Sequence, residues 1–381
     1  MTYKILSLDG GGFRGVISAR ILQKFEEKLG KPLYEYFDLV AGTSTGSLLA
    51  AGICLGKTAD ELLDLYKNNG EKIFPKVTRV YRNISKLRLF LNFGLYPNKG
   101  LEGVLQDQFG TTKISEISED KPVLLIPAYS TEERKTIWFC SNNAESGRQW
   151  YDNIEISKIC VCSASAPTFF PPYNLEVPEP QLENQLKAGK KYPFIDGGIA
   201  VNNPALIAIA HALLLPYYPS NPNHKKQLKL DDIAIVSIGT GHITNPYNYN
   251  TVKSWGMLGW AQQLGNLFMP APNQVNHDVC WQIIRQGNDE NAKRVLRLDF
   301  EIEDDKLEAI DDPKLYDKFV EAANQYLFKK GQARVGKDKW HNPIEAIEEF
   351  IENNPIDKDT TESNTTSNGT SKALTSVGSG C

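Results

Sequence analysis

Apolar and polar positions follow a regular order over the first 55 residues. Residues 3–8 are mainly apolar and lead into Asp9 and three glycines, which predicts a buried strand and a tight loop. Residues 16–29 repeat apolar side chains every four positions, as one face of a helix does. A second apolar run at 37–41 precedes a glycine-flanked turn and a small, apolar helix at 47–55. This order is typical of an α/β protein with a mostly parallel central sheet and helices on its faces.

The same patterns predict further elements along the chain. Apolar runs predict strands at 122–130, 136–141, 233–238 and 295–298. Helical spacing and end signals predict helices at 57–68, 99–109, 157–164, 203–215, 274–287, 313–329 and from Pro343 to about 351. After residue 354 the composition changes to Ser, Thr, Asn, Gly and Asp. We therefore expect one folded domain over residues 1–354 and a disordered tail over 355–381.

Composition narrows the function classes. The 381 residues are 41% hydrophobic and 23% charged, as in soluble globular proteins, and the net charge of −4 argues against a nucleic-acid partner. The first residues lack the features of a signal peptide, and no apolar stretch reaches the roughly 18 residues of a membrane span. We expect a cytoplasmic protein that touches membranes only peripherally. Six cysteines without a CxxC pair predict reduced thiols, with no metal site or cofactor.

The first loop, residues 9–15, reads Asp-Gly-Gly-Gly-Phe-Arg-Gly. Gly10, Gly12 and Gly15 match the GxGxxG pattern of dinucleotide sites, although a simple tight turn has the same pattern. A dinucleotide site also needs an acidic residue at the end of the second strand, where this chain has Gly-Thr-Ser. Consecutive glycines have another use, because their crowded N–H groups can surround an oxygen that becomes negative. The loop is therefore also a candidate oxyanion hole.

Residues 42–46, Gly-Thr-Ser-Thr-Gly, lie between a predicted strand and a predicted helix. This context is typical of a nucleophile elbow, which exposes the hydroxyl of Ser44 at a sharp turn. A serine needs a base to become a nucleophile. Of the five histidines, His224 and His341 are predicted to lie on the surface, and too few strands precede Ser44 for the usual Ser-Asp-His hydrolase order. A carboxylate is the other candidate base.

Asp196 follows a short apolar run and precedes two glycines, in Phe-Ile-Asp-Gly-Gly at 194–198. We expect it at the end of a strand. An ordinary turn would also have an Asp-Gly pair. If the carboxylate contacts Ser44, it can accept the hydroxyl proton during attack, and a partly dehydrated site would raise its basicity.

Four segments occur together in order, and together they closely resemble the patatin-like phospholipase family. They are Asp-Gly-Gly-Gly-Phe-Arg-Gly at 9–15, Gly-Thr-Ser-Thr-Gly at 42–46, Ser-Ala-Pro-Thr-Phe-Phe-Pro-Pro at 165–172 and Asp-Gly-Gly at 196–198. With Ser-Ile-Gly-Thr-Gly at 237–241, the motifs cover residues 3–241. The resemblance implies a three-layer α/β/α fold and a Ser–Asp dyad without a histidine. It implies Ser44 as nucleophile, Asp196 as base and an oxyanion hole built from Gly10, Gly11 and Gly12, with Arg14 supporting the loop or its charge.

The resemblance also implies a function. The family cleaves fatty-acyl esters of membrane glycerolipids, as a phospholipase A or galactolipase does, without a metal. An alcohol that replaces water at the same site would make the protein a transacylase. A dinucleotide-dependent oxidoreductase remains an alternative from GxGxxG alone, and a non-catalytic lipid-binding protein is a third. Both leave the serine and aspartate motifs unexplained.

Two segments are candidates for membrane contact. Residues 79–96 combine Arg and Lys with aromatic side chains, which suits the anionic surface of a bilayer. Residues 255–269 carry a run of tryptophan, leucine, phenylalanine and methionine. Helices packed on the core have the same apolar faces, so the pattern also fits two ordinary core helices.

Overall fold

The computed structural model of the chain describes residues 2–75, 94–142, 149–177, 189–215, 227–243, 247–256, 270–304, 307, 309–335 and 340–356. The predicted tail from 357 onwards and most of 79–96 and 255–269 lie outside these ranges.

Ten strands in the described part of the chain form one sheet. They are β1 (Tyr3–Leu8), β2 (Leu39–Gly42), β3 (Val123–Ser130), β4 (Lys135–Cys140), β5 (Tyr173–Glu176), β6 (Lys191–Asp196), β7 (Ile233–Ile238), β8 (Val295–Leu298), β9 (Ala333–Arg334) and β10 (Trp340–His341). Their order is β10-β9-β8-β7-β1-β2-β3-β6-β5, and β4 also pairs with β3. The central strands from β8 to β3 run parallel, while the pairs at both edges are antiparallel. This confirms the predicted, mostly parallel central sheet.

The α-helices of the described ranges connect these strands. They are α1 (Gly15–Leu29), α2 (Thr45–Cys54), α3 (Ala59–Ile73), α4 (Asn98–Phe109), α5 (Ile156–Ala164), α6 (Gly198–Val201), α7 (Ala205–Leu214), α8 (Tyr249–Ser254), α9 (Pro270–Arg285), α10 (Tyr316–Gln325) and α11 (Pro343–Asn353). A wider helical turn, Tyr326–Lys330, continues α10.

Successive side chains of the central strands enter two different cores. Leu6 and Leu8 of β1 pack with α1 to α5, α10 and α11 on one face of the sheet. Ile5, which precedes Leu6, packs with α7 and α9 on the other face. Since side chains alternate along a strand, a central strand covered on both faces is buried along its length and mainly apolar, as β1 and β7 are. The result is the expected three-layer α/β/α architecture.

Several sequence predictions need correction. Strands β5, β9 and β10 were not predicted, because β9 and β10 have only two residues each and β5 has a single buried position. His341 was expected on the surface but is buried, 8% exposed, where β10 meets α11. Tyr96 belongs to the proposed membrane segment 79–96, yet its ring is buried and its hydroxyl donates to Asp311 Oδ2 at 2.8 Å.

The sheet topology brings distant loops to one edge. Because β1, β2, β7 and β8 are parallel, the loops that follow them all leave from the same edge of the sheet. Strand β3 continues beyond the end of β2, and β6 returns antiparallel along it with Asp196 opposite Ala128. This register places the end of β6 beside the turn that follows β2.

Candidate active site

Ser44 stands at the sharp turn between β2 and α2. Its backbone angles, φ 53° and ψ −122°, lie in a region that residues other than glycine rarely adopt. The flanking glycines make the turn possible: a Cβ on Gly42 would lie 2.1 Å from the carbonyl oxygen of Gly46. A Cβ on Gly46 would lie 2.3 Å from the carbonyl oxygen of Leu8. The turn has the geometry of a nucleophile elbow.

Hydrogen bonds hold this strained backbone on both sides. The N–H of Ser44 donates to Ser163 Oγ at 3.0 Å, and the same hydroxyl donates to the carbonyl of Pro127 at 2.7 Å. Ser47 Oγ donates to the carbonyl of Ser44 at 2.6 Å. Sequence reasoning missed Ser163, although a serine among the buried apolar residues of α5 is itself a signal for a specific partner.

Ser44 and Asp196 are in direct contact. Ser44 Oγ donates to Asp196 Oδ2 at 2.6 Å, and both side chains are nearly inaccessible, with 5% and 3% of their surface exposed. The other carboxylate oxygen, Oδ1, accepts the N–H of Gly198 at 2.7 Å. The N–H of Asp196 donates to the carbonyl of Ser165 at 3.0 Å, so the strand end is also fixed. The carboxylate is therefore held with one oxygen on the serine hydroxyl.

Burial makes Asp196 a stronger base. It raises the pKa of the carboxyl group to about 6, while the hydrogen bonds from Ser44 and from the Gly198 N–H act in the opposite direction. Among the described residues no cationic side chain forms an ion pair with Asp196. At neutral pH the carboxylate is largely ionised, yet it accepts a proton more readily than an ordinary aspartate.

Four of the five histidines are described, and three of them have polar partners other than Ser44 and Asp196. His211 Nε2 lies 2.9 Å from Cys140 Sγ, and His341 Nε2 lies 3.1 Å from Glu349 Oε2. His242 Nδ1 lies 3.4 Å from Asp299 Oδ2. Within the described ranges none of them hydrogen-bonds to Ser44 or Asp196, so the carboxylate is the base within reach of the serine.

The loop of residues 9–15, called the glycine loop below, lies beside Ser44 at the end of β1. The N–H of Gly10 already donates to the carbonyl of Asn202 at 3.0 Å, and the N–H of Phe13 donates to that of Ile310 at 2.7 Å. The N–H groups of Gly11 and Gly12 have no acceptor among the described residues. The oxyanion-hole hypothesis is thereby narrowed from three glycines to Gly11 and Gly12.

Close packing explains why the loop is built of glycine. A Cβ on Gly10 would lie 2.3 Å from Asn202 Oδ1, and one on Gly11 would lie 2.2 Å from Thr240 Oγ1. Gly12 has a positive φ of 59°, which glycine adopts without strain. The carbonyl of Gly10 accepts the Thr240 hydroxyl at 3.2 Å and Asn202 Nδ2 at 3.3 Å. The loop is thus fixed by neighbours that a larger residue would displace.

Ser44, Asp196 and the glycine loop line one cavity of about 1640 Å³. Arg14, the last residue of the short turn Gly12–Arg14, also lines this cavity. The structure therefore places every predicted site residue at the cavity. Many of its other walls are apolar, including Leu48, Tyr66, Ile73, Phe74, Leu101, Phe169 and Phe170. The cavity offers an apolar surface next to the serine hydroxyl, as a bound fatty-acyl chain requires.

Two kinds of structural feature are absent from the described ranges. No group of three or more His, Cys, Asp or Glu side chains is arranged to hold a metal ion there. No helix in the same ranges is both long enough and apolar enough to cross a bilayer.

Comparison with known proteins places this architecture in a family. The sequence profile of the patatin-like phospholipase family matches residues 6–209. Patatin-like protein 3 of Arabidopsis thaliana is 29% identical over 88% of this chain and 83% of its own length. Patatin-like protein 1 of the same plant is 31% identical over 69% of this chain and 65% of its own length. Among solved structures, VipD from Legionella pneumophila matches at 11% identity, with a TM-score of 0.38, over 85% of this chain and 67% of that one.

The protein is a lipid acyl hydrolase, a type of carboxylic ester hydrolase. This class is defined by the three-layer α/β/α fold, the glycine-flanked serine and the family profile. The chain belongs to the patatin-like phospholipase family. The residues that the profile matches include both the glycine loop and the Ser44 turn.

Proposed function

We propose that the protein hydrolyses fatty-acyl esters of membrane glycerolipids, with Ser44 as nucleophile and Asp196 as its base. The observation that carries this proposal is the 2.6 Å hydrogen bond from Ser44 Oγ to a buried carboxylate that has no cationic partner among the described residues. The apolar cavity beside it supports a fatty-acyl substrate. The family match supports a lipid substrate in general.

The first step forms an acyl-enzyme. Ser44 Oγ attacks the ester carbonyl carbon while Asp196 Oδ2 accepts the hydroxyl proton. The carbonyl oxygen becomes negative and is stabilised by the N–H groups of Gly11 and Gly12. The tetrahedral intermediate then collapses, the carbon–oxygen bond to the glycerol side breaks, and Asp196 returns the proton to the departing alcohol.

The second step releases the fatty acid. Water enters, Asp196 accepts one of its protons, and the resulting hydroxide attacks the acyl carbon. Ser44 leaves and takes the proton back from Asp196, which restores the dyad. An alcohol that enters in place of water receives the acyl group instead, so transacylation needs no further residue.

We propose peripheral membrane contact at the mouth of the cavity. Ile199 and Trp340 line the cavity and yet expose 60% and 61% of their surface, and Tyr247 exposes 39%. Exposed apolar side chains around a lipid site favour contact with a bilayer. The segments 79–96 and 255–269 remain candidates for extending this surface, in a catalytic domain of residues 1–354 with a tail of 355–381.

Release of fatty acid from glycerolipid vesicles tests the proposal. We expect wild-type protein to release fatty acid from phosphatidylcholine or galactolipid vesicles and Ser44→Ala to lose at least about 10⁴-fold of that activity. Ser254→Ala is the matched control, because among the described residues this exposed serine of α8 bonds only to the carbonyl of Thr251. Acyl transfer to an added alcohol would identify transacylation. A folded wild type that neither releases fatty acid nor transfers it would reject the proposal.

A further inference from the structure

A buried group of charges lies directly behind the glycine loop. Arg297, on β8, donates to both carboxylate oxygens of Asp9, at 3.1 and 2.6 Å. It also donates to Asp299 Oδ2 at 2.8 Å and to Ser237 Oγ at 2.7 Å. The side chains of Arg297, Asp9 and Asp299 are 12%, 1% and 18% exposed. We call these three residues the charge network.

The sheet register explains how one arginine reaches two strands. Arg297 is opposite Ser237 of β7, and Ser237 is opposite Ser7 of β1. Its side chain therefore extends along the sheet edge, past the end of β7, to the residue that follows β1. A planar guanidinium can bind one carboxylate through two N–H groups and still donate to other acceptors.

The charges in this network compensate one another. Burial lowers the pKa of an arginine, but attraction to Asp9 and Asp299 outweighs this and holds the pKa of Arg297 above its ordinary value. Burial acts to raise the pKa of Asp299, yet Arg297 holds it below its usual range. Burial raises the pKa of Asp9 to about 6 against the attraction of Arg297. At neutral pH the arginine thus has two ionised partners.

The network is connected to the glycine loop from two directions. Asp9 directly precedes Gly10, so its position determines where the loop begins. Asp299 Oδ1 accepts the N–H of Gly241 at 3.0 Å. Gly241 follows Thr240, whose hydroxyl donates to the carbonyl of Gly10 at 3.2 Å. Through Asp9 and Asp299, Arg297 therefore fixes both the start of the glycine loop and the segment at Thr240 that hydrogen-bonds to it.

We propose that Arg297 is a positioning residue, which acts through Asp9 and Asp299 to direct the N–H groups of Gly11 and Gly12 towards the negative oxygen of the reaction. This inference rests on the proposed hydrolase function. The guanidinium is occupied by Asp9, Asp299 and Ser237, so it acts on the reaction only through the loop.

Small displacements of such a loop have large effects. Oxyanion donors stabilise the transition state when they lie about 2.7–3.1 Å from the oxygen, and loss of one donor costs about 10²–10³-fold in kcat. A misplacement of about 1 Å costs about 10²-fold. The loss appears in kcat, because the charge on the oxygen develops only in the transition state.

The test compares Arg297→Gln and Arg297→Lys with a matched control, Arg294→Gln. Arg294 is three residues earlier and donates to the carbonyls of Leu230 and Ile233, at the opposite end of β7. With a soluble short-chain ester, and rates normalised to folded protein, we expect Arg297→Gln to lower kcat about 10²-fold with KM nearly unchanged. Arg297→Lys should recover part of this loss, because it restores the charge but not the two-pronged geometry. The control should keep wild-type kcat.

Two further readouts separate positioning from a merely structural role. The rate of Ser44 modification by a fluorophosphonate should fall in parallel with kcat, because the phosphoryl oxygen occupies the same oxyanion position. The pH inflection that belongs to Asp196 should stay near its wild-type value. If Arg297→Gln does not fold, Arg297→Lys and Asp9→Asn replace it in the same measurements.

The outcomes are distinct. Folded Arg297 variants with wild-type kcat, or with changes in KM alone, would overturn the positioning role while leaving the hydrolase intact. A wild type that is inactive and unlabelled would instead overturn the proposed function itself. A fall in folded protein with unchanged kcat per folded molecule would show that the network only stabilises the fold.

Discussion

Asp196, which is buried, and Asp299, which is mostly covered, are two aspartates at the same edge of the sheet, and they differ in what surrounds them. Asp196 accepts two uncharged hydrogen bonds, and its pKa is raised to about 6 by burial. Asp299 is subject to the same effect of burial, but Arg297 and His242 outweigh it and hold its pKa below the ordinary range. Between these two aspartates, the balance of burial against neighbouring cations separates a carboxylate that accepts protons from one that holds structure.

The same difference has opposite effects on stability. A carboxyl group whose pKa is raised by folding binds its proton more tightly in the folded state, so its ionisation at neutral pH destabilises the fold. A carboxyl group whose pKa is lowered stabilises the fold above its unfolded pKa. Ionisation of Asp196 at neutral pH therefore lowers the stability of the fold, whereas ionisation of Asp299 raises it.

Replacement of Asp196 tests the reactive side of the comparison. We expect Asp196→Asn to lower kcat by about 10³–10⁴-fold, since the amide cannot accept the proton of Ser44 but preserves the shape of the site. Steady-state hydrolysis of a soluble ester measures this effect. The matched control is Asp107→Asn on α4, for which we expect wild-type kcat. Asp196→Asn with more than a tenth of wild-type kcat would remove Asp196 from the role of base.

The next largest expected effect is an opposite change in the free energy of unfolding for replacements of Asp196 and Asp299. At pH 7, Asp196→Asn should raise the free energy of unfolding by up to about 3 kcal/mol, as a pKa raised from 3.8 to about 6 implies. This gain should shrink as the pH falls from 6 to 4, because the carboxyl of the folded wild type takes up its proton over this range, whereas that of the unfolded chain does so only near pH 3.8. Asp299→Asn should instead lower stability at pH 7 by about 3 kcal/mol. Denaturant titrations at pH 4 and 7 measure both, and equal signs for the two variants would contradict the comparison.

The glycine loop should not tolerate a side chain at Gly11. We expect Gly11→Ala to lower kcat by about 10²-fold, because its Cβ would lie 2.2 Å from Thr240 Oγ1 and displace the loop. Gly103→Ala in α4 is the control: a Cβ there meets no atom within 4 Å. Steady-state hydrolysis of the same soluble ester measures kcat for both variants. Wild-type kcat in Gly11→Ala would exclude a precise role for this part of the loop.

The support of the elbow should matter least among these sites. Ser163→Ala leaves the N–H of Ser44 and the carbonyl of Pro127 without their shared partner. We expect a loss of about 10-fold in kcat and of about 1–3 kcal/mol in stability. Paired kinetic and thermal measurements test this, with Ser115→Ala, an exposed serine, as control. An unchanged kcat would mean that the elbow is held by its glycines alone.

Local patterns in the sequence were enough to predict the start of the fold. Strand β1, helix α1 and the Ser44 turn each depend on residues close together in the chain, so periodicity and glycine spacing located them. Asp196 is 152 positions from Ser44, so its local sequence indicated only a candidate base, and the resemblance to a family assigned it to Ser44.

Interactions between distant strands could not be predicted this way. Arg297 lies in the apolar run of β8 and binds Asp9, 288 positions away, with no local signal for the pair. The engagement of the Gly10 N–H by Asn202 depends on how α6 and the glycine loop pack together. Such contacts follow from the strand order, which a single sequence specifies only through the complete fold.

The most direct test of the account is the rate at which a fluorophosphonate modifies Ser44 as a function of pH, with the modified peptide identified by mass spectrometry. Since Asp196 must be ionised to accept the proton, the rate should rise about tenfold per pH unit below pH 6 and level off above it. Asp196→Asn should react far more slowly, without this inflection. A wild-type rate that is independent of pH across this range, or an unchanged rate in Asp196→Asn, would contradict the claim that a buried carboxylate without a cation activates the serine.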